Sequence, residues 1–415
     1  MQRLSRREVM QTAVAVSVGT AARLGAQTMP APSGPLPSGV LPAGIRARVI
    51  GDVNGISMHV LEAGFETAGR PGLLLVHGFP ELAYSWRKVM LPLAAAGYHV
   101  FAPDQRGYGR SGGTDVRFDD DLAPFSTLNR VRDMLALVSA LGHRSVAAVV
   151  GHDFGSPVAA WCALTRPDVF QRVVMMSAPF AGTARLPFNT ANTPAPPAAP
   201  PYDMDAELAK LTPPRKHYQT YYTTRPADGD MSRAPQGLLA FLRAYYHAKS
   251  ADWPHNRPQP LAANTAAEFA RLPRYYVMDL DKTMAAQVAA DMPSPAEIAR
   301  CAWLPDRELQ VYADEYGRTG FQGGLQSYRV GRMPRLGAEL TLFAGRTIDV
   351  PAAFVSGKSD WGVFQRAGSY EAMQKTACTK FWGAHLVDGA GHWVQQEQPA
   401  RTVAHILQFM KDTRA

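Results

Sequence analysis

The stretch whose reading decides the fold is Ser145-Val146-Ala147-Ala148-Val149-Val150-Gly151-His152-Asp153-Phe154-Gly155-Ser156-Pro157-Val158-Ala159-Ala160-Trp161. Its first part is a continuous apolar run, as in a strand buried on both faces. Its last part reads as a helix. Between them Asp153 stands in a glycine-flanked turn, Gly151-His152-Asp153-Phe154-Gly155. A strand, a sharp turn and a helix make a nucleophile elbow, which exposes its central side chain above the end of a sheet. That side chain is most often serine; here it is a carboxylate. A carboxylate attacks by displacement at carbon, and the ester it forms is then broken at its own carbonyl. This chemistry suits an epoxide or an alkyl halide better than an ordinary acyl group.

Outward from the elbow the pattern repeats. Upstream, Gly72-Leu73-Leu74-Leu75-Val76 is another buried-strand run, ending at His77-Gly78-Phe79-Pro80. Residues 81 to 96 are predicted helical. Tyr98 to Ala102 is the next strand, followed by Pro103-Asp104-Gln105-Arg106-Gly107-Tyr108-Gly109. Thr127 to Leu141 has the apolar spacing of an amphipathic helix, with Gly142 as its stop. Two β-like runs, Arg46 to Ile50 and Ser57 to Leu61, open the body, and Arg172 to Ser177 follows the elbow helix. This alternation predicts an α/β fold with a mostly parallel central sheet.

The alternation stops after residue 180. A Pro-rich stretch, Pro194 to Pro201, leads into helical segments with many aromatics and a loop-like region from Trp253 to Pro273. Strand patterns return at Pro351 to Ser356 and at Thr379 to Val387, and a helix from Pro399 to Lys411 closes the chain. The expected organisation is a core of residues 44–179 and 341–415. A mainly helical cap, residues 180–340, is inserted after the sixth strand. Sites in open α/β sheets lie at the carboxyl ends of the strands, where such a cap would sit.

A carboxylate nucleophile needs a base to finish the turnover. His392, in Gly389-Ala390-Gly391-His392-Trp393, follows the last predicted strand. A neutral imidazole there can activate water, provided that its other nitrogen has an acceptor. Asp360, in Gly357-Lys358-Ser359-Asp360-Trp361-Gly362, follows the preceding strand and is the expected acceptor. Asp388 is a rival, but only four residues separate it from His392. Ala178-Pro179-Phe180, after the strand Arg172 to Ser177, holds no carboxylate. Each residue has an ordinary alternative, such as a helix cap for an Asp. All three together at strand ends, in the order nucleophile, acid, histidine, argue for a triad. Breaking the ester develops an oxyanion, for which the backbone N–H groups of Phe79 and Phe154 are the expected donors.

These motifs resemble the epoxide hydrolase group of the α/β-hydrolase superfamily. The matching pieces are His77-Gly78-Phe79-Pro80-Glu81, Asp104 to Gly109, Gly151 to Gly155, Gly391-His392 and, within the cap, Gly320-Phe321-Gln322-Gly323-Gly324-Leu325-Gln326-Ser327-Tyr328-Arg329. The resemblance spans about residues 45 to 412 and implies a small-molecule epoxide and water as reactants, with no cofactor and no metal. It also implies two cap tyrosines that donate to the epoxide oxygen. Tyr328 holds one position. Tyr218, in Lys216-His217-Tyr218-Gln219-Thr220-Tyr221-Tyr222, aligns with the other, and Tyr221 and Tyr222 are near rivals. Haloalkane and haloacid dehalogenases share the Asp-His-Asp machinery. The former typically hold halide with a Trp after the nucleophile, where this chain has Phe154. The latter carry arginines there, where this chain has Gly155 to Val158.

The formal net charge is +8, with Arg3, Arg6, Arg7 and Arg23 against Glu8 in the first 27 residues. The remainder holds no block of Lys or Arg, which speaks against a nucleic-acid partner. Residues 1–27 have the charged, apolar and small-residue order of a signal peptide, and Ser5-Arg6-Arg7-Glu8-Val9-Met10 resembles the twin-arginine export signal. The apolar run is too short to span a membrane stably. Export to a bacterial periplasm or beyond is expected. Residues 28–43, rich in Pro, Gly and Ser, read as a disordered lead-in. Cys162, Cys301 and Cys378 lack metal-type spacing, and a Cys301–Cys378 disulfide is open to an oxidising compartment.

Overall fold

The computed structural model describes residues 34–186, except 38, and residues 203–413. The signal-peptide reading of residues 1–27 and the Pro-rich stretch 194–201 lie outside the described residues. Among those described, the strands in chain order are β1 (Ile45–Val53), β2 (Ile56–Ala63), β3 (Gly72–Val76), β4 (His99–Pro103), β5 (Val146–His152), β6 (Val173–Met176), β7 (Arg215–His217), β8 (Val277–Asp279), β9 (Ala352–Gly357) and β10 (Phe381–Val387). The main sheet has the order β1-β2-β4-β3-β5-β6-β9-β10. It is parallel from β4 to β10, and β1 and β2 extend it antiparallel.

Burial explains the apolar runs. All five residues of β3 and all four of β6 are buried. Leu73 and Leu75 point to one face, where they join Val89, Met90 and Leu93 of α1 (Arg87–Ala95) and Ile406 and Phe409 of the closing helix Pro399–Asp412. Leu74 and Val76 point to the other, against α2 (Thr127–Ala140) and α3 (Gly155–Thr165). A strand covered on both faces has no polar side to show, so it cannot alternate. Ser126 caps α2 by accepting from the Asn129 N–H at 3.4 Å, and Gly142, at φ +80°, follows its end. The helix expected over 81–96 is shorter: Ala83–Trp86 is a 3₁₀ turn and α1 follows it.

Between β6 and β9 the chain builds the cap. Its helices include α4 (Tyr218–Tyr222), α5 (Leu238–Lys249), α6 (Asp306–Thr319) and α7 (Gln322–Val330). The β7–β8 ribbon is an addition to the expected helices. Its strands are three residues each, too short to leave a period in the sequence. The cap is bolted to the loop after β3: Tyr246 Oη donates to the Pro80 carbonyl at 2.9 Å and Tyr316 Oη to the Glu81 carbonyl at 3.1 Å. It also meets the loop after β4 backbone to backbone. A Cβ on Gly323 would lie 2.1 Å from the Gly107 oxygen, so only glycine fits there.

Part of the presumed lead-in is packed. Arg110 Nη1 donates to the carbonyls of Gly34 and Pro35, and Leu36, Val40 and Leu41 rest against the body. These apolar side chains offset the disorder that the Pro, Gly and Ser content suggested. All three cysteines are free thiols, so the disulfide is not formed.

Candidate active site

β5 ends at the elbow. Asp153 has φ +51°, a left-handed conformation that costs a non-glycine residue about 1–3 kcal/mol. The flanking glycines make the turn possible. A Cβ on Gly151 would lie 2.0 Å from the Gly155 oxygen, and one on Gly155 would lie 2.1 Å from the Val76 oxygen. The strained turn holds the Asp153 carboxylate above the sheet edge, 9% exposed. Its Oδ1 accepts the Phe79 N–H at 2.9 Å. Phe154 heads α3, and its N–H has no other hydrogen bond among the described residues.

The parallel strand order puts β9 and β10 on the same side of the elbow and carries Asp360 and His392 to the same edge. His392 Nε2 lies 3.6 Å from Asp153 Oδ2 and has no hydrogen-bond partner. His392 Nδ1 lies 3.1 Å from Asp360 Oδ1 and 3.0 Å from Ser177 Oγ. Asp360 Oδ1 also accepts the Gly362 N–H at 2.7 Å, and Oδ2 accepts from Ser356 at 2.9 Å. Burial works against ionising Asp360, but His392, Ser177 and the Gly362 N–H outweigh it and hold its carboxyl well below the usual range. Burial, helped by the Lys249 ammonium, presses His392 below the ordinary imidazole value. It is neutral near pH 7, with its Nδ1 proton facing Asp360 and the Nε2 lone pair facing Asp153. Asp388 is instead exposed and paired with Lys358 at 2.7 Å.

A second histidine braces the first. His152 Nδ1 lies 2.6 Å from Glu81 Oε2, and its Nε2 lies 2.7 Å from the His392 carbonyl. Both ring nitrogens face acceptors, so both donate and the ring is an imidazolium. Burial opposes that charge, but Glu81 overcomes it and raises His152 to about 9. Glu81 falls to about 2, burial again being outweighed by His152. Glu397 holds the same loop by accepting the N–H groups of Gly391 and Trp393 at 2.9 and 3.0 Å. Glu81 and His152 sit inside the motifs His77 to Glu81 and Gly151 to Gly155, but their pairing joins two loops and leaves no signal in either motif alone. Ser177 ends the run Arg172 to Ser177, and nothing in that run marks its hydroxyl as a neighbour of His392. Its φ of +66° was not legible in the residues.

A cavity of about 580 Å³ opens over Asp153, between the sheet edge and the cap. Tyr218 and Tyr328 both line it, with ring centroids 6.0 Å apart. Tyr218 Oη donates to Gln365 at 3.1 Å and accepts from Gln219 at 3.2 Å. Tyr328 Oη has no hydrogen bond among the described residues. Burial raises the pKa of both phenols, so both are protonated. The rival tyrosines are committed elsewhere: Tyr221 Oη donates to Asp230 at 2.9 Å and Tyr222 Oη to Tyr245 at 3.3 Å. Among the described residues no cluster of His, Cys, Asp or Glu is placed to hold a metal, and no helix is long and apolar enough to cross a membrane.

Residues 71–399 match the model of the alpha/beta hydrolase fold family. Epoxide hydrolase A of Mycobacterium tuberculosis is 30% identical over 86% of this chain and 95% of its own length. An epoxide hydrolase of Caballeronia sordidicola is 30% identical over 87% of this chain and 93% of its own. Among solved structures, an epoxide hydrolase from an endophytic Streptomyces superposes with a TM-score of 0.69. It is 29% identical and covers 89% of this chain and 96% of its own.

Proposed function

The chain belongs to the epoxide hydrolase group of the alpha/beta hydrolase family, and from that premise we propose that it opens an epoxide to a vicinal diol through a covalent ester on Asp153. One observation carries the reading. The elbow carboxylate, with a free imidazole nitrogen 3.6 Å away, shares its cavity with two protonated phenols.

An Asp153 oxygen attacks one oxirane carbon and the carbon–oxygen bond breaks. The departing oxygen takes a proton from Tyr218 or Tyr328, giving a hydroxy ester. Two donors suit this step because the leaving oxygen stays tethered and would otherwise close the ring again. Water then enters beside His392. Its proton passes to Nε2 as its oxygen bonds to the ester carbonyl carbon. Asp360 stabilises the imidazolium, and the Phe79 and Phe154 N–H groups receive the oxyanion. Collapse expels the diol, which takes the proton from His392; the Asp153 carboxyl, carrying one oxygen from water, gives up its remaining water proton, and the phenolate regains the one it lost, which restores both groups.

The test is His392→Gln. Ring opening persists but the ester is not hydrolysed, so the protein gains one substrate mass on incubation with styrene oxide. An unmodified mass after long incubation, with other epoxides also tried, contradicts the role given to His392.

Export by the twin-arginine route is a second part of the proposal, supported by Arg6-Arg7 and the apolar residues after them. Replacing both arginines with Lys is expected to hold the protein in the cytoplasm. Unchanged fractionation of that double variant removes this part.

A further inference from the structure

Arg130, on α2, is buried at 5% exposure in the wall of the catalytic cavity. Its Nη2 has no hydrogen-bond partner, and the side chain joins no ion pair among the described residues. Asp133, one turn along the helix, attracts it electrostatically but makes no hydrogen bond to it: Arg106 engages that carboxylate through Nε at 3.0 Å and Nη2 at 2.6 Å. A buried cation is ordinarily paired, because desolvation without compensation is costly. Burial does press Arg130 below the usual arginine value, yet a guanidinium stays protonated near neutrality.

The surroundings of Arg130 are also unsatisfied. The Tyr108 phenol lies beside the guanidinium, and the Ser327 hydroxyl lies beside the phenol. Neither buried hydroxyl has a hydrogen-bond partner. The guanidinium can only donate, each hydroxyl can donate or accept, and none of the three groups brings a carboxylate to the cation. The cavity wall contains two more guanidiniums, Arg332 and Arg366, and one carboxylate, Asp153 itself. Arg332 is half exposed and 3.5 Å from Asp205, so Arg130 is the buried and uncommitted charge.

We propose that Arg130, backed by Tyr108 and Ser327, is a carboxylate-recognition site, and that the substrate is an epoxide bearing a carboxylate next to the oxirane ring. This rests on the reading of Asp153 given above and specifies its substrate class. The Phe154 ring neighbours both groups. The Arg130 guanidinium carbon lies 5.9 Å from its centroid, and the Tyr328 ring packs edge-on at 4.4 Å. Arg130 and Tyr328 thus neighbour the same ring in the same cavity wall, so one small substrate has both the anion site and the phenol assigned to the oxirane oxygen within its cavity. A fixed cation here also offsets the repulsion between an anionic substrate and the Asp153 carboxylate. A guanidinium fork meets a carboxylate with two parallel hydrogen bonds.

The experiment compares 3-phenylglycidate with its neutral carboxamide as substrates, and cinnamate with cinnamamide as non-reacting ligands, on the intact protein. The acid should exceed the amide in kcat/KM by roughly tenfold or more, the range of a hydrogen bond to a charged group. Arg130→Leu should bring that ratio close to one, chiefly through KM, and Arg130→Lys should keep part of it. A wild-type ratio near one, or a preference that survives Arg130→Leu, overturns the proposal. Should the Leu variant fail to fold, calorimetry on the wild type decides, since cinnamate must bind more tightly than cinnamamide. Equal binding together with turnover of styrene oxide overturns the anion site and leaves the Asp153 reading intact. Tight cinnamate binding without turnover of any epoxide overturns the Asp153 reading and, with it, the substrate class.

Discussion

The 3.6 Å between His392 Nε2 and Asp153 Oδ2 exceeds a hydrogen bond, and the gap suits the proposed order of events. A shorter contact would tie up the nucleophile and leave no place for the water that attacks its ester. The carboxylate instead accepts the Phe79 N–H at 2.9 Å, a donor to which the proposed mechanism gives a second use when the oxyanion forms. In the proposed mechanism the phenols act only in ring opening. Losing one should raise the barrier to that step by about 2–4 kcal/mol, the loss typical of one preorganised donor to a developing oxyanion. Tyr218→Phe and Tyr328→Phe can partly cover for each other, so the double variant should lose far more than either. Burst kinetics separate this step from ester hydrolysis, which should be largely spared. A double variant that opened epoxides near the parent rate would move the dehalogenase chemistry ahead.

At the scale of elements, the site depends on three loops held in register: the one after β3, the elbow, and the one carrying His392. The buried Glu81–His152 pair joins all three, because His152 also donates to the His392 carbonyl at 2.7 Å. Its pH dependence follows from the signs of the shifts. His152 rises from 6.5 to about 9, so its contribution is complete below pH 6.5 and is lost as pH climbs through 9. Glu81 falls from 4.5 to about 2, so its contribution is complete above pH 4.5 and is lost toward pH 2. The pair is therefore fully effective between pH 4.5 and 6.5. Glu81→Gln should cost up to about 3–5 kcal/mol in that window, as when one partner of a buried pair is removed. The deficit should shrink as pH approaches 9. Thermal melting of both proteins from pH 5.5 to 9 checks this, and parallel curves would refute it.

At the scale of the whole molecule, the core was legible in residues 72–76, 146–152 and 352–357, because strands buried on both faces must be apolar throughout. The places of Asp153, Asp360 and His392 followed from strand order, since each ends a strand of one parallel sheet. What stayed hidden depends on contacts across the chain. The β7–β8 ribbon is too short to show a period. The link between Glu81 and His152 spans loops from two strands, and a lone Arg on an amphipathic helix gives no sign that it lines a cavity. Core and cap both line the cavity, so the complete account is tested by a turnover that uses both. In a single turnover with enzyme in excess, in water enriched in oxygen-18, epoxide attack by Asp153 puts an unlabelled carboxylate oxygen into the diol and leaves the label on Asp153. An unlabelled diol with a labelled Asp153 peptide is the predicted result, and label in the diol of that first turnover would contradict the covalent mechanism.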